Sequence, residues 1–255
     1  AQCLVGSEMC IRDRHYAESI GQTRQTMERE FCDISENQKG ELRVGIGYTR
    51  GRAIMPRLIP AFQRQYPNVE IMLRECSNDA IQKALLSGGI DLAIAAYPKV
   101  PPSIELADYY TEHTVLCLVD SLLVQCQIDL DVRRNEIAAG DLHSLRDCPF
   151  VLGSAADIGG RIGRELLRAS GISPISKATS ENVETLLALC VQGVGACFCP
   201  ENLLQTALSP EQLAQLHILP LCPSASYPIC FGYLRRSYPW SVLSEFIRIA
   251  REQTA

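Results

Sequence analysis

No apolar run among the 255 residues approaches the ~18 needed to cross a bilayer as a helix. The N-terminus has no basic segment followed by an apolar core, so no secretory signal is read there. Both absences point to a cytoplasmic chain with no membrane partner. Motifs of hydrolytic and phosphate chemistry are missing as well: neither G-x-S-x-G, nor H-E-x-x-H, nor a G-x-x-x-x-G-K loop occurs. Gly159, Gly160 and Gly163 stand in the order G-G-x-x-G, which is wrong for a dinucleotide fingerprint. There is no C-x-x-C, the histidines His15, His113, His143 and His217 are isolated, and Cys197 and Cys199 lack the spacing of a zinc set. Cys199, beside Pro200, has no histidine partner in sequence. No catalytic residue, metal site or cofactor is expected. A basic stripe is absent too: 24 Lys and Arg stand against 29 Asp and Glu, a net charge of −5. The chain by itself is expected to grip DNA poorly.

What is present fits an ordinary globular protein, 47% hydrophobic and 21% charged, long enough for one or two domains. Its 12 cysteines are many, but Cys117, Cys190, Cys197 and Cys199 lie inside apolar runs, where a thiol serves as a small buried hydrophobe. Such usage suits a reducing compartment. Residues 1–14 do not fit the rest of the chain. Cys3 to Arg14 resembles the translation of a sequencing-adapter fragment, and the stretch is read as a non-native tail.

Along the chain, Tyr16, Ile20, Thr23, Met27, Phe31 and Ile34 recur three or four apart, which predicts a helix over residues 15–38 with a narrow apolar seam suited to helix pairing. Leu42, Val44 and Ile46 alternate as in a strand. Tyr48–Gly51 is read as a turn, followed by a helix with Pro56 in its first turn and Pro60 as a kink. A second strand holds Val69, Ile71 and Leu73, and Ser77, Asn78 or Asp79 caps the next helix. A third strand, Asp91 to Ala96, is apolar enough to be covered on both faces. This β-α-β-α-β order predicts a parallel sheet whose ligands gather beyond the strands' carboxyl ends, at Tyr48–Gly51, Cys76–Asn78 and Tyr97–Pro98. Thr114–Val119 and Leu122–Val124 read as strands near a lobe boundary. Residues 125–148 read as loop with a short helix. A second α/β unit begins at Pro149, with strands at Phe150–Leu152 and Ala196–Cys199. A strand at Ile229–Leu234 and an amphipathic helix at Trp240–Arg251 complete the chain.

Four fragments, in this order, carry a family resemblance: Gly40 to Gly45, Met55 to Pro67, Leu85 to Ile94, and Gln192–Gly195 running into Cys199–Pro200. Together they resemble the LysR-type transcriptional regulators over residues 15–255. The resemblance implies an α/β fold of two Rossmann-like lobes of the type 2 periplasmic-binding class, preceded by an N-terminal linker helix. It places a first effector-binding lobe at residues 40–124 and 228–255 and a second at 125–227. It implies a small-molecule effector in the interlobe cleft, homodimers or tetramers, and DNA contact only through an N-terminal winged helix-turn-helix that this sequence does not include, as a truncation just upstream of His15 would leave it.

Helix starts carry unpaired N–H groups and a partial positive charge, so anions settle there. Three such starts are expected to face the cleft: after Thr49, Arg50 and Gly51, after Ser77 and Asn78, and after Ser180, Glu181 and Asn182. The resemblance adds Tyr97, Pro98, Gly153 and Ser154 as walls. Thr49 would donate its hydroxyl, Gly51 would admit close approach, and Arg50 either pairs with a carboxylate or faces solvent. Ser77, Asn78, Ser180 and Asn182 can equally be plain caps. The expected effector is a small organic anion. A transporter's solute-binding protein would share the fold, but the helix before the first strand speaks against it, and an enzyme on this fold lacks a visible nucleophile–base pair.

Overall fold

The computed structural model describes residues 40–155, 157–235 and 240–253, with residues 13, 16, 17, 20, 21 and 24. The expected tail over 1–14 and linker helix over 15–38 therefore lie outside the described residues, those six apart. The six are helical, and Tyr16 and Ile20 are 66% and 70% exposed, so neither seam residue is buried on the lobes.

The first unit forms as its apolar periodicity dictates. Strand β1 (Gly40–Ile46) pairs in parallel with β2 (Val69–Glu75) on one side and β3 (Leu92–Ala95) on the other. Helix α1 (Tyr48–Gln65) connects β1 to β2, and α2 (Asn78–Leu86) connects β2 to β3. Side chains alternate across β3: Leu92 and Ile94 join the core under α1 with Leu58 and Phe62, while Ala93 and Ala95 pack under α2 with Ile81 and Leu85. All four are buried, as a strand covered on both faces requires. Asp91, at the entrance to β3, is buried and accepts from the Arg43 backbone N–H at 3.1 Å, from Nε at 3.0 Å and from Nη2 at 2.9 Å. This carboxylate locks β1 to β3.

Beyond β3 the sheet turns antiparallel. β9 (Ser226–Leu234) pairs with β3 and with the first part of β4 (Ile104–Val119), while the rest of β4 pairs with β7 (Cys197–Pro200) and β8 (Leu216–Pro220). The sixteen-residue β4 is thus common to both units. β5 (Pro149–Gly153) and β6 (Ile175–Ser180) form a parallel pair, and β5 also bridges to Ala196 just before β7. The core of the second unit gathers Leu116, Leu118, Phe150, Leu187 and Phe198, with Cys117, Cys148, Cys190, Cys197 and Cys199 among them. Every described cysteine is a free thiol. The second unit's main helices are α3 (Asp120–Gln125), α4 (Leu130–Ala138), α5 (Ile158–Ala169) and α6 (Val183–Val191). Short helices α7 (Leu204–Ala207) and α8 (Pro210–Leu213) follow β7, and α9 (Ser241–Glu252) returns to α1, where Phe246 meets Phe62 edge-on with ring centroids 5.2 Å apart.

The structure corrects several expectations. Tyr48–Gly51 is not a turn but the first turn of α1, and Pro56 and Pro60 both lie inside that helix. Both prolines face solvent, where water can serve the carbonyls they leave unpaired. Leu122–Val124 belongs to α3, not to a strand; Leu122 is buried, while Val124 is 78% exposed, which a helical turn allows. The expected crossings near 124 and 228 shift: β4 changes partners between His113 and Thr114, and the return falls between Pro220 and Ser226. The cause is β4 itself, one strand that pairs first with β9 and then with β7 and β8. Strands β6 and β8 also went unread; β6 is mostly exposed and shows no apolar alternation.

Removing the Asp91 carboxylate leaves Arg43 half-buried without its partner. Asp91→Ala is expected to lower unfolding free energy by about 3 kcal/mol, as for one broken member of a buried pair, in urea denaturation. Gly195 lies where an added Cβ would stand 2.8 Å from the Phe150 carbonyl carbon and 2.9 Å from the Pro149 oxygen. Gly195→Ala must push β5 away from β7, and the same measurement should show a loss of about 2 kcal/mol or more.

Candidate functional site

Helix α1 begins without a side-chain cap. Its N-cap is Gly47, and the first intrahelical bond runs from the Gly51 N–H to the Gly47 carbonyl at 2.8 Å. The N–H groups of Tyr48, Thr49 and Arg50 precede that bond. The other helix starts nearby are capped by their own side chains: Ser77 accepts from Ala80 N–H at 3.4 Å, Asp157 from Gly160 N–H at 2.9 Å, and Asn182 from Glu184 N–H at 2.9 Å. Of these four starts, α1 alone has no amide taken by a side-chain cap.

Directly behind this turn is a buried polar cluster. Arg50, 8% exposed, donates through Nε to Glu112 Oε1 and through Nη2 to Glu112 Oε2, both at 3.1 Å, and through Nη1 to Asn78 Oδ1 at 3.5 Å. Glu112, 3% exposed, also accepts from the hydroxyls of Tyr110, at 2.9 Å, and Tyr227. Burial opposes the charge on Glu112, but the Arg50 guanidinium and the two phenols overcome it and hold the carboxyl below the usual carboxylate range. Burial likewise opposes the charge on Arg50; the Glu112 carboxylate more than offsets it, so Arg50 stays protonated. Burial and the Glu112 charge push the Tyr110 and Tyr227 hydroxyls far up, so both remain neutral donors. Thr114 follows Tyr110 and Glu112 on the same face of β4; it is buried, and its hydroxyl has no partner among the described residues.

Side-chain hydrogen bonds also link α1 and the first part of β4 to the second unit. Asn202 Nδ2 donates to Tyr110 Oη at 3.3 Å, Arg52 pairs through Nη1 with Glu184 in the first turn of α6, and Arg52 Nη2 donates to the Thr206 carbonyl at 3.2 Å. A cavity of about 430 Å³ also opens beside α1, but it runs along the outer face, over Met55, Pro56, Ile59, Pro60 and Leu73, with Arg52 and Glu75 at its rim.

Comparison with known proteins places this architecture. Residues 35–255 match the family model described as the LysR substrate binding domain. The chain belongs to that family. It is 24% identical over 246 residues to the uncharacterized HTH-type transcriptional regulator YcgK of Bacillus subtilis, covering 92% of this chain and 74% of YcgK. It is 26% identical over 206 residues to the HTH-type transcriptional activator IlvY of Salmonella typhimurium, covering 80% of this chain but 65% of IlvY, a little under two thirds of that activator's length. Among solved structures, the effector-binding domain of QuiR in complex with shikimate superposes with a TM-score of 0.63 at 17% identity, covering 84% of this chain and 97% of that domain. The two-unit α/β fold is therefore that of a LysR effector-binding domain.

Within this LysR domain, Thr49, Arg50, Gly51 and Asn78 come together, and Asn182 lies two residues from Glu184, which Arg52 reaches. Thr49 is half-buried in the first turn of α1. Arg50 is not solvent-facing: Glu112 occupies the Nε–Nη2 edge of its guanidinium, and Nη1 points to Asn78. Gly51 does admit a close approach, but by Glu75: a Cβ there would lie 2.3 Å from Glu75 Oε1. Ser77 is a plain cap, Ser180 ends β6 with its hydroxyl accepting from Asn182 N–H at 3.1 Å, and Glu181 is exposed. Tyr97 turns its buried hydroxyl toward Gly232 of β9, and Pro98 is exposed. Gly153 packs on Gly160 and accepts from Arg164 Nη2 at 2.6 Å, with Ser154 half-buried beside it. Sequence reading missed Tyr110, Glu112, Tyr227, Asn202, Arg52 and Glu184. The one available signal was the spacing of Tyr110, Glu112 and Thr114 at every second position, a polar row on one strand face.

Glu112, with its lowered folded pKa, adds stability that is full above the unfolded value near 4.5 and is lost as pH falls through the folded value. Glu112→Gln should lower stability at neutral pH by about 3 kcal/mol. It should also flatten the loss of stability below about pH 4.5. Denaturant titrations across pH check both.

Proposed function

We propose that this effector-binding domain senses a small organic anion at the start of α1, and that Thr49 with the neighbouring amides forms the centre of the site. The observation that carries the reading is the contrast between neighbouring helix starts: α1 has no side-chain cap, while α2, α5 and α6 each have one amide taken by a cap, Ser77, Asp157 and Asn182. An anion at α1 would complete the missing cap. Arg50, although neutralised by Glu112, braces the turn from behind and supports Asn78 on the facing helix. Thr114, on the same face of β4 as Glu112, has a buried hydroxyl without a partner among the described residues. The neighbour solved with shikimate, itself a carboxylate, is in keeping with this ligand class.

The remaining features support sensing over catalysis. Glu112 is held ionised and Tyr110 and Tyr227 neutral, so none is poised to exchange a proton near neutral pH. In this reading the domain belongs to a cytoplasmic regulator that acts as a dimer or tetramer and reaches DNA through a separate domain. The exposed Tyr16 and Ile20 favour a helix paired with another chain.

A thermal-shift screen with small carboxylates, followed by calorimetry of any compound that raises the melting temperature, tests the site. Thr49→Val, which removes one hydroxyl at nearly constant volume, should weaken a confirmed carboxylate by about three- to tenfold. Unchanged affinity would take Thr49 out of the site.

A further inference from the structure

The two arginines of the first turns of α1 make opposite kinds of contact. Arg50 is buried, with the Nε–Nη2 edge of its guanidinium held by Glu112 and Nη1 turned to Asn78. Arg52 leans the other way, across to the second lobe, where it meets Glu184 and the Thr206 carbonyl. The Arg52 and Glu184 side chains are 47% and 33% exposed. Water screens such a pair, and either member can leave without stranding a buried charge.

We propose that Arg52 is an exchangeable latch between the lobes, and that a carboxylate-bearing effector acts by taking Arg52 from Glu184. The proposal rests on the effector-sensing reading above. Arg52 stands one helical turn after Tyr48, within reach of an anion seated on the uncapped amides. Its guanidinium can grip a carboxylate through two N–H groups, as it now grips Glu184 and Thr206. Glu184 has an alternative when displaced, because it lies in the first turn of α6, where the helix's positive end favours its charge in any rotamer. Arg52 gains no such support from α1, whose positive end repels it, and beyond Glu184 the nearby protein carboxylate is Glu75, which lines the same groove. Exchange moves the link between α1 and the α6–α7 region from a protein carboxylate to the ligand's. The ligand thereby acquires the difference in affinity between two lobe arrangements that any effector needs in order to signal.

The latch makes a prediction of opposite signs. Calorimetry with shikimate, phthalate, benzoate and citrate is run on the wild-type chain, Arg52→Gln, Arg52→Lys and Glu184→Gln, with methyl shikimate as the uncharged control. Removing the internal competitor in Glu184→Gln should tighten the binding carboxylate by about two- to fivefold, the worth of one exposed ion pair. Arg52→Gln should weaken it by about tenfold or more, and Arg52→Lys should recover part of that loss. Hydrogen exchange of the ligand-free proteins supplies a second readout: both Gln variants should exchange faster over the α6 start and α7, with β1–β3 unchanged. If a carboxylate binds but Glu184→Gln weakens it or leaves it unchanged, the latch is wrong and the sensing site stands. If methyl shikimate binds as well as shikimate in every variant, the carboxylate assignment falls. If no member of the panel binds, the anion-sensing reading falls with the latch.

Discussion

A guanidinium in an apolar interior must have its donors paired, and the pairing of Arg50 with Glu112 sets the geometry of this domain's centre. Because neither partner can leave without stranding the other, the first turn of α1 is held against β4. Asn78 extends the same arrangement to the start of α2, and Tyr110 and Tyr227 close the remaining acceptor positions on the carboxylate. The amides at the head of α1 are thereby held in place with no side chain of their own to cap them. An internal ion pair of this kind is closed to other partners; it fixes the helix start beside it.

The strand that carries Glu112 also joins the two lobes. β4 runs unbroken from its pairing with β9 to its pairing with β7 and β8. Its polar row Tyr110, Glu112 and Thr114 lies where one sheet gives way to the other. Contacts grow more exposed away from this centre: the Arg50 pair is buried, while the Asn202 to Tyr110 bond and the Arg52 to Glu184 pair are exposed.

Where periodicity was local, the chain could be read directly. The β1, β2 and β3 strands, the Ser77 cap, the burial of β3 on both faces and the apolar stripe of α9 all follow from spacings of two or three to four residues. The cap at Asn182 was legible for a related reason, since short polar side chains favour helix starts. Arg50 shows where that reading stops. Its neighbours in sequence allow either solvent or ligand, and its partner Glu112 is 62 positions away. Nor could Arg52 be read, since Glu184 is 132 positions distant.

Local sequence thus determined the elements of the first lobe and the positions where helices begin, because those depend on backbone hydrogen bonding and on which face is apolar within a few residues. Tertiary structure alone decided that Ile104–Val119 is one strand, that Leu122–Val124 is helical, and that one arginine is spent inside while its neighbour bridges the lobes. A polar stretch becomes a strand only when partners supply its hydrogen bonds, and the energy of a charged group depends on how far it is from water and what faces it. Both conditions are set by segments far away in the chain.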